Sequence, residues 1–181
     1  MLCAGATASG RRGSFPASDE SLDARGLRDA TAFRLPPRFA GNVLCSPWRA
    51  AHETAEATGL AAQSEPALAE LAPGRWAGRS FEEIEATEPG ALASWLADPL
   101  RGTPDGETMA DARLRIGGWL DGIADRAEAV CAISHPMAIR AALAHALGFP
   151  LATTLAIDIA PLSRTQLSFN RKWRLQAIAP L

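Results

Sequence analysis

The sequence is poor in the residues that build metal and disulfide frameworks. Its three cysteines, Cys3, Cys45 and Cys131, are odd in number, far apart and contain no CxxC pair. A zinc site or disulfide scaffold is therefore not expected, and a reducing compartment is the natural setting. The three histidines, His52, His135 and His145, do not form an HExxH pair, so no metal and no cofactor is expected. No apolar run of about 18 residues occurs, which leaves no candidate for a membrane-spanning helix. The opening MLCAGATASGRRG has neither the charged n-region nor the apolar h-region of a secretory signal, and the cytoplasm is the expected location. A formal net charge of −2 supplies no basic field for nucleic acid or an anionic membrane. No GxSxG occurs either, which excludes the nucleophile elbow of a serine hydrolase.

What is present is a chain of 181 residues, 48% hydrophobic and 21% charged, long enough to bury a substantial core. With no internal repeat or linker, one domain over residues 1–181 is expected. VLCSP (Val43 to Pro47) is a short apolar run stopped by Ser and Pro and followed by the helical stretch WRAAHETAEATG. AVCAISHP (Ala129 to Pro136) repeats that arrangement before MAIRAALAHALG. Both helices close at a glycine, Gly59 or Gly148, where a left-handed residue is expected. Strand, turn, helix, used twice, predicts a parallel α/β sheet with its ligand crevice beyond the carboxyl ends of the strands. MLCAGAT reads as a third such strand end, very short because only Met1 and Leu2 precede Cys3.

Further helices are expected over Ser21 to Phe33, capped by Ser21 and weakened by Gly26, and from Ser80, where Glu83 completes a capping box. Another is expected over Thr108 to Arg126, with Met109, Ala112, Ile116, Trp119, Leu120 and Ile123 on its buried face. The end, SRTQLSFNRKWRLQAI, alternates about Asn170–Arg171–Lys172 and predicts an antiparallel hairpin at a sheet edge.

Taken singly, the polar residues near these strand ends have bland readings. His135 is a lone histidine at a strand-to-helix corner, although such a corner favours an anion. Arg49, in the first helical turn, reads either as a solvated charge or as a fork for phosphate oxygens. Glu70 is either an exposed loop carboxylate or a general acid. PDGET (Pro104 to Thr108) reads as a turn with Thr108 capping the next helix. His52 and His145 fall within helices, in capping or surface roles, with His52 also near enough to Arg49 to edge a site. Trp76, Trp95 and Trp119 read as core or pocket wall.

Together these pieces resemble a family. CSPWRAAHETAEATGL is similar to the "SSPLxRAxQTAE" signature of the histidine phosphatase superfamily, in its phosphoglycerate-mutase-like branch. LAELAPGRWAGRSFEEI resembles its "LxExxxGxWEGxxxxEI" segment, PDGETMADARLRI its "PGGESxxdxxxR" segment, and AVCAISHPMAIRAALAHALG its "VxVSHGgvIRaLLaxLLG" segment. The motifs cover roughly Val43 to Pro150, in the family's order. The resemblance implies a three-layer α/β/α sandwich with a mostly parallel central sheet and an antiparallel edge hairpin near the C-terminus. It also implies a phosphohistidine mechanism, in which one histidine attacks phosphorus, a second histidine and two arginines bind the phosphoryl oxygens, and a carboxylate handles the proton. Carried over, Arg49 matches the second arginine, Glu70 the acid/base and His135 the second histidine. The implied partner is a small phosphorylated metabolite, and a homodimer is compatible with the sequence.

The opening departs from the pattern. LCAGAT aligns with "VRHGET" through Gly5 and Thr7, both expected to line the phosphate site. Cys3 then stands at the first arginine, Ala4 at the nucleophilic histidine and Ala6 at a glutamate. A methyl group cannot attack phosphorus. Three readings follow. The first is a phosphatase whose nucleophile has been deliberately replaced, because the other site residues persist and "CHGAT" resembles a form of one branch. The second is a natural pseudoenzyme that binds a phosphorylated ligand. The third is a lyase, cyclase or isomerase using Glu70 and His135. Cys3 is not the substitute nucleophile, because alternation along the strand turns it to the other face from Ala4. Arg11 and Arg12 are the candidates to replace the missing first arginine.

Overall fold

The computed structural model describes residues 1–126 and 128–180. In chain order the helices are α1 (Ser9–Arg12), α2 (Ala24–Ala32), α3 (Arg49–Ala57), α4 (Phe81–Thr87), α5 (Ala91–Ala97), α6 (Met109–Ile123), α7 (Pro136–Leu147) and α8 (Leu151–Thr154). Strands β1 (Leu2–Cys3), β2 (Val43–Cys45), β3 (Ala62–Ser64), β4 (Cys131–Ser134), β5 (Arg164–Asn170) and β6 (Lys172–Ala179) form one sheet in the order β3-β2-β4-β1-β5-β6. The first four run parallel, and β5 and β6 are antiparallel, as a mostly parallel α/β sheet with an edge hairpin requires. None of the helices is long and apolar enough to cross a membrane among the described residues.

Period-two alternation sorts the strand side chains into two cores. Leu2, Ala4, Val43, Cys45 and Ile133 pack with Ala30 and Phe33 of the α2 segment and Ala51 and Ala55 of α3. Ala132 packs on the opposite face with Ile116 and Leu120 of α6 and Ala141 and Ala142 of α7. Cys3 joins that opposite side, against Ile139 and Leu143 of α7. These two layers of helices around one sheet make the three-layer sandwich.

Local chemistry sets the boundaries. Both bonds of the Ser80–Glu83 capping box are made, and Thr108 forms a second box with Asp111. Gly148 closes α7 at φ 67°, a backbone region that favours glycine. Helix α2 starts later than Ser21 implies. Its cap is Asp23, whose side chain accepts from the N–H groups of Arg25 and Gly26. Gly26 has a reason to be there, since a Cβ at that position would collide with the Ala6 carbonyl. The residue that weakens the helix lets the loop after β1 lie against it. Strand β3 has no counterpart in the sequence reading, because AQS is short and largely exposed.

Candidate functional site

The carboxyl ends of β1, β2 and β4 open into a cavity of about 860 Å³, within the size range of small-molecule sites. Ala4 lies in it, 4% exposed, with its N–H donating to the Ser134 carbonyl at 2.7 Å. The loop beyond is tied to α3. The Gly5 N–H donates to Thr54 Oγ1 at 2.9 Å, and Thr54 donates to the Ala50 carbonyl at 2.6 Å. Gly5, Ala6 and Thr7 line the same cavity. Cys3 is also on its boundary, but it packs against α7, and burial raises its thiol pKa far above the range in which a thiolate forms.

His135 and Glu70 are the buried polar groups of the site, 6% and 7% exposed. His135 ends β4, and its Nε2 lies 2.9 Å from Ser46 Oγ, with the Trp48 ring 5.4 Å away between centroids. Burial pushes its imidazole from the ordinary 6.5 down to about 4, so it is neutral near neutral pH. Helix α7 follows with Pro136 in its first turn and takes no side-chain cap from His135. Glu70 provides that cap from a distant loop. Its Oε1 accepts from the Ala138 and Leu71 N–H groups at 2.9 Å each, and Oε2 from the Met137 N–H at 3.1 Å. Burial pushes the Glu70 carboxyl pKa up, against the pull of those N–H donors and of Arg140. The loop carrying Glu70 is anchored by Arg115, which donates to the carbonyls of Ala67 and Ala69 and pairs with both carboxylate oxygens of Glu107 at 2.8 and 2.6 Å. The PDGET turn therefore does more than cap α6.

Arg49 does not enter the cavity. Its side chain is 59% exposed and donates to Glu53 one turn on, at 2.7 Å. One residue further round the helix, about 100° away, Ala50 faces the cavity instead, 5% exposed. Aligned without a gap, "SSPLxRAxQTAE" also places its arginine on Ala50 rather than Arg49. The assignment of Arg49 to the second arginine is thus corrected, and the position that would hold it carries a methyl group. Of the candidates for the first arginine, Arg11 lines the cavity with its guanidinium paired to Asp23, while Arg12 is exposed and does not line it.

His52 and His145 lie off the site, His52 beside the Cys45 thiol and His145 against Asp121. Ser134 donates to the Leu68 carbonyl at 2.7 Å and is structural. The wall residues Phe15, Trp48 and Phe81 had no signal of their own in the sequence, and they join Trp95. Phe15 meets Trp95 edge-on at 4.9 Å and Phe81 at 5.4 Å between ring centroids. Among the described residues no cluster of His, Cys, Asp and Glu side chains is arranged to hold a metal ion.

The architecture has known counterparts. A mycobacterial glucosyl-3-phosphoglycerate phosphatase, solved with VO3, superposes with a TM-score of 0.80 at 27% identity, covering 97% of this chain and 95% of its own. A mycobacterial hydrolase gives 0.82 at 25%, covering 99% and 96%. The α-ribazole phosphatase from Shigella flexneri gives 0.86 at 18%, covering 99% and 94%, a likeness of fold. No curated protein sequence matches. The sequence profile of the histidine phosphatase superfamily (branch 1) matches residues 2–179, and the chain belongs to that family.

Proposed function

We propose that this chain is a binding member of the histidine phosphatase superfamily, which holds a small ligand in the phosphatase cavity without transferring phosphoryl groups through a phosphohistidine. The family and its phosphatase neighbours support a phosphatase-type scaffold. The observation that carries the reading is the pair Ala4 and Ala50, two methyl groups facing the cavity where the family motifs have the nucleophile and an arginine. Phosphoryl transfer spreads charge over the equatorial oxygens, and positioned cations supply most of the stabilisation. Here the retained histidine is neutral and the neighbouring arginine faces solvent. A single deliberate replacement at Ala4 leaves Ala50 unexplained.

Phosphate release from a panel of phosphomonoesters tests this, using the chain as it stands, Ala4→His, and the combined Cys3→Arg, Ala4→His, Ala50→Arg protein. The unaltered chain and Ala4→His are expected to release no phosphate above the blank, and the combined protein to gain turnover. Release by the unaltered chain overturns the reading. Release by Ala4→His alone restores the view of a phosphatase lacking only its nucleophile.

A further inference from the structure

The cavity has a consistent chemistry of its own, and it is not that of a phosphate site. Its acidic and basic lining residues are four carboxyl groups, Glu20, Asp29, Glu70 and Glu107, against two arginines, Arg11 and Arg25. Both arginines are already engaged, Arg11 with Asp23 and Arg25 with Asp29 at 3.4 Å. Glu107 is matched by Arg115, and Glu20 accepts from the N–H and hydroxyl of Ser9 at 2.7 and 2.6 Å. A phosphate dianion at the buried end would lose its hydration beside the Glu70 carboxyl, and the two lining arginines, 50% and 68% exposed, lie toward solvent rather than buried beside it.

The apolar side is the more extensive. Phe15, Trp48, Phe81 and Trp95 form an aromatic wall, and Ala4 and Ala50 leave room where long side chains would stand. His135 and Glu70 sit at the buried end, each already hydrogen-bonded within the protein. Such groups accommodate one small polar ligand group, such as a hydroxyl, without a countercharge. We propose that the cavity takes an uncharged ligand with an aromatic or other apolar ring body and a hydroxyl-type polar end, in preference to the corresponding phosphomonoester. This rests on the reading of the chain as a non-transferring binder and names the class of what it binds.

Calorimetric titration with α-naphthol and α-naphthyl phosphate, which share one ring system, tests the ligand class near neutral pH. The alcohol is expected to bind at least about tenfold more tightly than its ester. Trp95→Ala is expected to weaken the alcohol severalfold, and Ala50→Arg to narrow or reverse the preference. Circular dichroism melts establish that both variants are folded. Tighter binding of the intact ester, binding of neither compound, or alcohol binding indifferent to Trp95→Ala each overturns the ligand class while leaving the non-transferring reading standing. Appearance of free α-naphthol from the ester with the unaltered chain overturns the reading itself.

Discussion

Acidification through the titration range of His135 removes stability from this fold. The imidazole is 6% exposed, bonded to Ser46 Oγ, and held at about 4 rather than 6.5 because its charged form would be desolvated. The sign follows from proton counts. Between those two values the unfolded chain binds the proton and the folded chain does not, so stability rises with pH across the window and is lost as pH falls toward the folded value. The full gap corresponds to about 3 kcal/mol, of which about 2 kcal/mol is lost between roughly pH 7 and pH 5. Glu70 works in the opposite direction. Its raised pKa makes protonation on folding favourable, so falling pH adds stability above the ordinary carboxyl range. The two contributions are separated by difference.

Urea unfolding followed by tryptophan fluorescence, in steps from about pH 7 to about pH 5, gives the stability of the unaltered chain and of His135→Asn. The variant carries no group at this position that titrates in this range. The unaltered chain is expected to lose about 2 kcal/mol more than the variant across that range. Parallel curves for the two proteins, or an imidazole titrating near its ordinary value by NMR, would refute the argument that His135 is buried neutral.

Two other substitutions probe the frame around the site. Glu70→Ala leaves three backbone N–H groups without their acceptor, two of them at the start of α7, and is expected to cost about 3 kcal/mol in urea unfolding. A loss below about 1 kcal/mol would mean that water caps the helix as well as the carboxyl does. Gly26→Ala improves helix propensity by about 1 kcal/mol on a free helix. Here it is expected to lower stability by about 2 kcal/mol, because the new methyl meets the Ala6 carbonyl; a raised melting temperature would show that the loop after β1 is free to move away.

Much of the frame was legible because it depends on local signals. The apolar runs before Ser46 and His135, the glycine after each following helix, the Ser80 box and the hairpin about Arg171 all encode backbone geometry within a few residues. The site was legible by motif, but its orientation was harder to read. Neighbouring residues on a helix point about 100° apart, so the step from Arg49 to Ala50 moves a side chain from solvent into the cavity. Arginine is the residue type with phosphate chemistry, but the gapless register of the motif puts Ala50, not Arg49, at that position. Glu70 as the cap of α7 could not be read locally, since its partners lie 67 and 68 residues away in the chain. The aromatic wall was equally hidden, because it joins segments from Phe15 to Trp95.

The pattern of what is kept and what is missing carries its own argument about chemistry. Glu70 and His135 agree with the family motifs, and each also has bonds that the fold needs without any ligand: three N–H groups for Glu70 and the Ser46 hydroxyl for His135. Cys3, Ala4 and Ala50 occupy positions where the family places groups whose role is to attack or hold phosphorus. Two guanidinium groups enclosed here without a dianion would repel each other and lose hydration. Once no phosphoryl group has to be held, small uncharged side chains are the more stable occupants, while removing Glu70 would still uncap α7. Persistence of the Glu70–His135 pair therefore follows from the architecture of α7 and β4, and it gives no support to acid/base catalysis. A cavity that keeps its frame and has methyl groups at the positions of the nucleophile and an arginine is the arrangement expected of a site whose ligand is uncharged.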